Sequence, residues 1–190
     1  YTIMLGGSRE AVSRIEPLVR LLAPAPDSGW LHCGPAGAGH FTKMVHNGIE
    51  YGMMQAYAEG LALIKAKSEL GVDLAQLTEC WRHGSVIRSW LLDLIADFLR
   101  RERDLESVGP IVADSGEGRW TAIEAVELGV PAPVMSLALM ARFASYALTQ
   151  TEWRDLKVAC AALMLVQPHA GQPIKDDDGS VAFHDDDYRA

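Results

Sequence analysis

The chain has 190 residues, of which 49% are hydrophobic and 22% charged, and these fractions exclude fibrous, low-complexity and wholly disordered proteins. Its 17 Lys and Arg against 25 Asp and Glu give a formal net charge of −8. Because affinity for a nucleic-acid backbone depends on cationic side chains, this balance argues against a nucleic-acid partner. The longest uncharged, apolar-leaning run, 130–141, contains two prolines. It is shorter than the roughly 20 residues of a bilayer span, so we expect no membrane segment.

The first 33 residues predict a strand, a helix and a second strand. Residues 1–5 form a β-type run, Ser8 is a predicted helix N-cap, and apolar residues then recur at helical spacing. Pro24 and Pro26 end this helix, and residues 29–33 predict the returning strand. A βαβ unit needs further parallel strands and covered faces, which the sequence does not supply. We therefore expect residues 1–33 to be the remnant of an α/β domain whose earlier strands are missing.

Residues 34–167 predict a helical domain. Its predicted helices cover about 39–70, 73–82, 85–98, 119–129, 131–148 and 151–167. Gly71 is expected to stop the long first helix, and Asp73, Ser85 and Thr151 are expected to cap later ones. Residues 168–190 contain proline, glycine and two runs of three Asp, and we expect them to form an acidic, disordered tail.

Two features bear on the compartment. The first residues lack the basic segment of a secretory signal peptide. Cys33, Cys80 and Cys160 lie far apart, and no pair has the spacing of metal ligands. An odd, scattered set of cysteines is typical of reduced thiols. We therefore expect a cytoplasmic protein with no metal site and no disulfide framework.

The start of the long helix carries the residues with the clearest chemistry. Lys43, His46, Asn47, Glu50 and Tyr51 occupy positions i, i+3, i+4, i+7 and i+8, which lie on one helix face. The rise between Lys43 and Glu50 is roughly 10 Å at ~1.5 Å per residue. A base and an acid placed in this way can bracket a small, extended substrate.

The alternative to a substrate-binding face is an ordinary amphipathic helix face exposed to solvent. Against it stand Gly48, Gly52 and Gly60, each of which costs a helix up to about 1 kcal/mol relative to Ala. Close approach of another backbone or a ligand would compensate for this cost. A second face of the same helix is expected to pack against neighbours, and it carries Val45, Ile49, Met53 and Ala56.

The run GAGHF at 37–41 followed by KMVHNGIEYG at 43–52 resembles the signature of 6-phosphogluconate dehydrogenase, the decarboxylating enzyme of the pentose phosphate route. Residues 81–89, 114–121 and 129–133 reinforce the likeness, and DSGEGRWT at 114–121 resembles the shorter bacterial branch. The likeness covers about residues 1–169. It implies a mainly α fold, with the family's all-helical C-terminal domain behind a remnant of the Rossmann-type NADP-binding domain.

The resemblance implies an oxidative decarboxylation of 6-phosphogluconate to ribulose 5-phosphate and CO₂, with NADP or NAD as the hydride acceptor. Lys43 would be the general base at the C3 hydroxyl, and Glu50 the general acid at C1 of the enediol. His46 and Asn47 would hold the sugar acid. The phosphate would be bound by Tyr51, Arg119, Thr121, Arg142 and His169. Apart from the resemblance, each arginine would be interpreted as an ordinary surface residue.

Two departures from the family pattern affect these expectations. Leu163 stands where the family carries a phosphate-binding Arg six residues before the position of His169. The glycine-rich motif of the nucleotide-binding domain is absent, so the residues that bind the cofactor are unknown. We expect this chain by itself to reduce no nicotinamide.

The resemblance also implies a homo-oligomer, a dimer or higher, in which the C-terminal segment reaches a partner's site. Two alternatives stay open: a non-catalytic helical module for assembly or ligand binding, and another β-hydroxyacid dehydrogenase. His46 and Asn47, paired with Glu50 and Tyr51, favour the sugar-phosphate enzyme over the second alternative. Leu163 keeps the first one open.

Overall fold

The computed structural model describes residues 2–103, 105, 107–109 and 111–147. Within them the chain is mainly helical, with one small parallel sheet, which confirms the predicted fold class. The elements are β1 (Ile3–Gly6), α1 (Arg9–Leu22), β2 (Trp30–Gly34), α2 (Ala38–Ala66), a 3-10 turn (Ser68–Leu70), α3 (Leu74–Arg82), α4 (Trp90–Arg101), α5 (Glu117–Glu127) and α6 (Pro133–Ala147).

The N-terminal elements form the predicted βαβ unit. Strands β1 and β2 pair in parallel, with Ile3 opposite Trp30, and α1 crosses between them. Ser8 caps α1 as expected, since its hydroxyl accepts a hydrogen bond from the amide of Ala11 at 3.2 Å. A Cβ at Gly39 would lie 2.6 Å from the carbonyl oxygen of Met4. Glycine at this position therefore lets the first turn of α2 lie directly against β1.

Helix α2 is the central element and contacts β1, β2, α3, α5 and α6. Its predicted extent to Leu70 is wrong, because the α-helix ends at Ala66 and the chain continues as the 3-10 turn. Gly71, with φ of 60°, ends that 3-10 turn. The glycine therefore terminates the helical segment as predicted, but after a 3-10 turn and not directly after the α-helix. The larger core lies between the C-terminal half of α2, α3 and α4; its buried members include Met54, Tyr57, Leu61, Leu92, Ile95 and Leu99.

Two helix caps were predicted in this region, and one of them is wrong. Asp73 caps α3, because its carboxylate accepts from the amides of Ala75 at 2.9 Å and Gln76 at 3.1 Å. Helix α4 begins at Trp90 and is capped by Ser89, not by Ser85. The hydroxyl of Tyr57 donates to the carbonyl of Ile87 and lies 2.8 Å from Oγ of Ser89. These contacts hold the segment before Trp90 outside the helix.

The second face of α2, which was expected to suit packing against neighbours, is left mostly exposed by the described residues. Ile49 is 53% exposed and Met53 38%. The buried residues of α2 lie on a neighbouring face; they are Gly39, Gly48, Tyr51, Gly52, Met54, Tyr57, Ala58 and Leu61. That face is selected by α5 and α6, which pack against it.

Two of the three helix glycines make the predicted close approach. A Cβ at Gly48 would lie 2.6 Å from Cγ2 of Thr121, and one at Gly52 would lie 3.2 Å from Cγ1 of Val134. The prediction is wrong at Gly60, where a Cβ would meet nothing within 4 Å. Gly48 and Gly52 are therefore the points at which α5 and the start of α6 approach α2.

Helix α5 corresponds to the predicted helix 119–129 but begins earlier, at Glu117, and α6 corresponds to the predicted helix 131–148 but begins at Pro133. The last predicted helix, the acidic tail, Leu163 and His169 lie outside the described residues. Among the described residues, every helix is too short or too polar to cross a membrane. The domain limits after residues 33 and 167 stay predictions.

Candidate active site

Four of the predicted site residues form a connected row on the exposed face of α2. The ammonium of Lys43 donates to Oδ1 of Asn47 and lies 3.4 Å from Nδ1 of His46. Nδ1 of His46 in turn lies 3.1 Å from Oδ1 of Asn47 and 3.9 Å from Oε2 of Glu50. The row thus joins a potential base at one end to a potential acid at the other, as their spacing predicts.

This row is open to solvent over most of its length. Lys43 is exposed, and the side chain of His46 is 51% exposed, whereas that of Glu50 is 22% exposed. The hydrogen-bond and ion-pair partners within the row come from α2 itself, at spacings of one to four residues. Glu50 also interacts electrostatically with Arg142 on α6. The four side chains can therefore meet a ligand from one side of α2.

Tyr51 lies one residue further along α2 but is buried, 2% exposed. Its hydroxyl accepts from the amide of Ser115 at 2.9 Å and donates to Oδ1 of Asp114 at 3.0 Å. A Cβ at Gly118 would lie 2.3 Å from Cε2 of Tyr51, so α5 can cover the ring only with glycine at that position. Burial raises the pKa of the Tyr51 phenol, against the opposing charge of Arg142.

Asp114 is a buried carboxylate that was not among the predicted site residues. Its side chain is 3% exposed. Oδ1 accepts from Tyr51 and from the amide of Gly116 at 3.0 Å, and Oδ2 accepts from Nε of Arg119 at 3.0 Å and lies 2.8 Å from Nη2. The sequence does indicate its local contact, because an Asp in the loop before a helix commonly accepts from nearby backbone amides. Its long-range partner, Tyr51, had no such signal.

Arg142 is buried, 2% exposed, so the interpretation as a surface arginine is wrong for this residue. Its guanidinium stacks on the Tyr51 ring, 3.5 Å from the ring centroid, and donates to the carbonyl of Ala113. A second nitrogen lies 3.5 Å from the sulfur of Met54. Burial lowers the pKa of Arg142, opposed by the charges of Tyr51 and Asp114.

The two remaining described candidates lie on α5. Arg119 is half exposed, and its guanidinium lies 5.3 Å from the centroid of Phe143 besides pairing with Asp114. Thr121 is buried; its hydroxyl lies 2.8 Å from the carbonyls of both Met44 and Glu117. Because it contacts Gly48 and α2 backbone, Thr121 fastens α5 to the helix that carries the row.

The structure therefore brings the predicted residues together in two neighbouring groups. The open group on α2 comprises Lys43, His46, Asn47 and Glu50. The second group, which we call the arginine pocket, comprises Tyr51, Asp114, Arg119, Thr121 and Arg142. Within the described part of the chain, no cluster of three or more His, Cys, Asp or Glu side chains is placed to hold a metal ion.

Comparison with known proteins gives consistent matches. The C-terminal domain of 6-phosphogluconate dehydrogenase matches residues 39–176. The NAD(+)-dependent, decarboxylating 6-phosphogluconate dehydrogenase of Haloferax volcanii is 43% identical over 148 residues, which are 77% of this chain and 49% of that protein. The NADP(+)-dependent, decarboxylating enzyme of Bacillus subtilis is 36% identical over 154 residues, 76% of this chain and 32% of that protein.

A solved structure agrees with these matches. The 6-phosphogluconate dehydrogenase of Plasmodium falciparum, described in its apo form and in complexes with its cofactor NADP+ and its substrate 6-phosphogluconate, superposes with a TM-score of 0.63. The two sequences are 32% identical, and the match covers 74% of this chain and 32% of the other. The chain thus spans half or less of the length of the relatives it matches.

Proposed function

This chain belongs to the 6-phosphogluconate dehydrogenase family, and we propose that it provides the substrate site for the oxidative decarboxylation of 6-phosphogluconate to ribulose 5-phosphate and CO₂. The observation that carries the proposal is the row from Lys43 to Glu50 on the open face of α2, beside the arginine pocket. A base, an acid and polar side chains between them suit a sugar acid, and the neighbouring arginines suit its phosphate.

The oxidant in this proposal is NADP, or NAD, whose nicotinamide accepts a hydride from C3 of the sugar acid. Family relatives are named for either form. At the turn after β1, the described residues do not offer a dinucleotide site. The turn after β1 is filled by the chain itself, since a Cβ at Gly6 would lie 2.8 Å from the amide of Gly39, and the hydroxyl of Ser8 is occupied by Ala11. The steps below therefore concern only this chain's own side chains.

Lys43 takes the proton of the C3 hydroxyl as C3 is oxidised. The β-keto acid then loses CO₂, and Lys43 returns a proton to the carbonyl oxygen at C3. This gives an enediol, in which Glu50 protonates the carbon that lost CO₂ while Lys43 takes back the proton of the neighbouring enol hydroxyl, so that C1 and the carbonyl of ribulose 5-phosphate are formed. His46 and Asn47, which lie between the base and the acid, orient the hydroxyl and carboxylate groups by hydrogen bonds.

The arginine pocket binds the phosphate in this proposal. Arg119 and Arg142 supply positive charge. Tyr51 and Thr121 would supply hydroxyl groups by turning from their present partners, Asp114 and the carbonyl of Met44. Guanidinium groups suit a phosphate because they donate two parallel hydrogen bonds. His169 would join them from the C-terminal segment of a partner subunit.

We further propose that the protein is a cytoplasmic homo-oligomer, a dimer or higher. Apolar side chains on the outer faces of α2, α5 and α6 support this, because Ile49, Ile123 and Leu137 are each at least half exposed. An oligomer would cover these side chains and bring a partner's C-terminal segment to the site.

The test separates the chemistry from cofactor binding. The proton that Glu50 delivers to C1 of ribulose 5-phosphate can also be removed by the same groups in reverse. We therefore expect the purified chain to bind 6-phosphogluconate in a calorimeter and to catalyse solvent deuterium exchange at C1 of ribulose 5-phosphate, followed by NMR. Lys43→Ala is expected to abolish the exchange. Lys65→Ala, a control on the last turn of the same helix, is expected to leave it unchanged.

Binding of 6-phosphogluconate without any exchange would favour the alternative of a non-catalytic ligand-binding module. Absence of binding, or exchange that persists in Lys43→Ala, would contradict the proposed function.

A further inference from the structure

The buried carboxylate of Asp114 connects residues that the proposed phosphate site uses. It accepts the hydroxyl of Tyr51 on Oδ1, and Nε of Arg119 donates to Oδ2 while Nη2 lies 2.8 Å from the same oxygen. Resting on the proposed function, we propose that Asp114 is a positioning residue that holds Arg119 ready for the phosphate and so sets the preference for a phosphorylated sugar acid.

The geometry of the pair leaves part of Arg119 available. One edge of the guanidinium, Nε and Nη2, faces Oδ2 of Asp114. Nη1 has no hydrogen-bond partner within the described part of the chain. A guanidinium held along one edge keeps the two N–H groups of Nη1 in a fixed direction, from which they can donate to a phosphate oxygen.

Net charge alone predicts that loss of the Asp114 carboxylate strengthens phosphate binding, whereas a positioning role predicts weaker binding. The sign of the change in affinity therefore distinguishes the two explanations. Asp114 is the negative group beside two arginines, so replacing its carboxylate with a neutral amide makes the pocket more positive. If only net charge mattered, an anion would then bind more tightly. Because Arg119 is half exposed, solvent screens the gain in charge, whereas the loss of its anchor frees a long, flexible side chain. We therefore expect weaker binding.

A purely structural role for Asp114 predicts a third outcome. Oδ1 also accepts from the amide of Gly116 at 3.0 Å, so the carboxylate helps shape the turn before α5. Damage to that turn would weaken the whole site and reduce the affinity for any sugar acid. A positioning role at the phosphate end reduces the affinity for 6-phosphogluconate only.

The experiment compares the dissociation constants of 6-phosphogluconate and gluconate, which lacks the phosphate, by titration calorimetry of the full chain. We expect Asp114→Asn to weaken 6-phosphogluconate binding about tenfold, the loss of one charge-assisted hydrogen bond, and gluconate binding less than about twofold. In an Arg119→Gln background, Asp114→Asn is expected to weaken 6-phosphogluconate binding by less than about a further twofold, because the side chain that Asp114 positions is gone. The control is Asp93→Asn, which removes from α4 the carboxylate that pairs with Arg82 of α3. It should change neither dissociation constant.

Tighter or unchanged binding of 6-phosphogluconate by Asp114→Asn overturns the inference, as does an equal loss for both ligands or a full loss in the Arg119→Gln background. If Asp114→Asn does not fold, Arg119→Lys provides the test, because lysine keeps the charge but has no planar edge to be held. It should weaken 6-phosphogluconate binding severalfold and leave gluconate unchanged, and any other result overturns the inference. If the unaltered chain binds no 6-phosphogluconate, the proposed function itself fails.

Discussion

The open row on α2 and the arginine pocket lie side by side, but they are built in different ways. Lys43 is exposed, and its described partners, His46 and Asn47, come from the next turn of its own helix. Arg142 is buried and touches Tyr51 and Ala113, which are distant in sequence. The row can therefore adjust its side chains as a substrate reacts, whereas the pocket is fixed by packing before any ligand arrives. In the proposed function, the groups that transfer protons are therefore mobile and the groups that bind charge are fixed.

The largest expected effect is on proton transfer by the open row. Glu50→Gln should slow deuterium exchange at C1 of ribulose 5-phosphate by about 100-fold or more, because the amide cannot act as an acid or a base. Its free energy of unfolding should change less than the exchange rate, since the amide keeps the shape of the side chain and loses an ion pair with His46 at 3.9 Å and an electrostatic interaction with Arg142. Glu59→Gln, on the same helix and bonded to Gln55 at 2.9 Å, is the control. Equal exchange rates in the two variants would contradict the role of Glu50.

The next largest effect is on stability, which should depend on the arginine pocket much more than on the open row. Arg142→Met should lower the free energy of unfolding by about 2–4 kcal/mol, because it removes a desolvated cation–π contact and leaves the carbonyl of Ala113 unpaired. Lys43→Met removes an exposed cation and should change it by less than about 0.5 kcal/mol. Urea unfolding measures both variants. Similar losses would show that the contrast between the open row and the pocket is not real.

A smaller effect tests the contact that joins α5 to the helix carrying the row. Gly48→Ala should destabilise the chain by about 1–2 kcal/mol, because its Cβ would overlap the side chain of Thr121 at 2.6 Å and this outweighs the better helix propensity. Gly60→Ala meets nothing within 4 Å and should stabilise by up to about 1 kcal/mol. Opposite signs in urea unfolding are the expected result, and the same sign in both variants would contradict it.

The smallest effect concerns the pH dependence of the pocket. Burial raises the pKa of Tyr51 above its ordinary value of 10.0, so the folded protein favours the neutral phenol. This contribution to stability is complete below pH 10 and is lost as the pH rises through the folded pKa. The free energy of unfolding should therefore fall less steeply between pH 9 and 11 in Tyr51→Phe than in the unaltered chain. Parallel pH profiles would count against a buried, neutral Tyr51.

The row was predictable because helical spacing alone determines which of its residues share a face. Lys43, His46, Asn47 and Glu50 are in contact for this reason. The arginine pocket was less predictable, since Tyr51 and Arg142 meet only when α6 packs on α2. The family resemblance indicates these two residues, but the burial of Arg142 and the partners of Asp114 depend on long-range packing.

The fold shows the same division between local and long-range information. The βαβ unit, the caps Ser8 and Asp73 and the presence of α5 and α6 follow from local patterns. Ser85 and Ser89 both precede apolar residues, and the choice of Ser89 depends on the hydroxyl of Tyr57 from another helix. The face of α2 that becomes buried is likewise chosen by its neighbours. Spacing identified an apolar stripe but not which stripe α5 and α6 would cover.

Helix α2 runs without a break from Ala38 to Ala66, and the proposed base and acid lie on it two turns apart. Their separation is therefore a property of helix pitch and backbone hydrogen bonds. If the proposed function holds, sequence changes elsewhere in the fold alter how tightly the phosphate is bound or how the sugar is tilted. The distance between the two proton-transfer groups stays constant, so affinity can vary during evolution while the spacing that the chemistry needs does not.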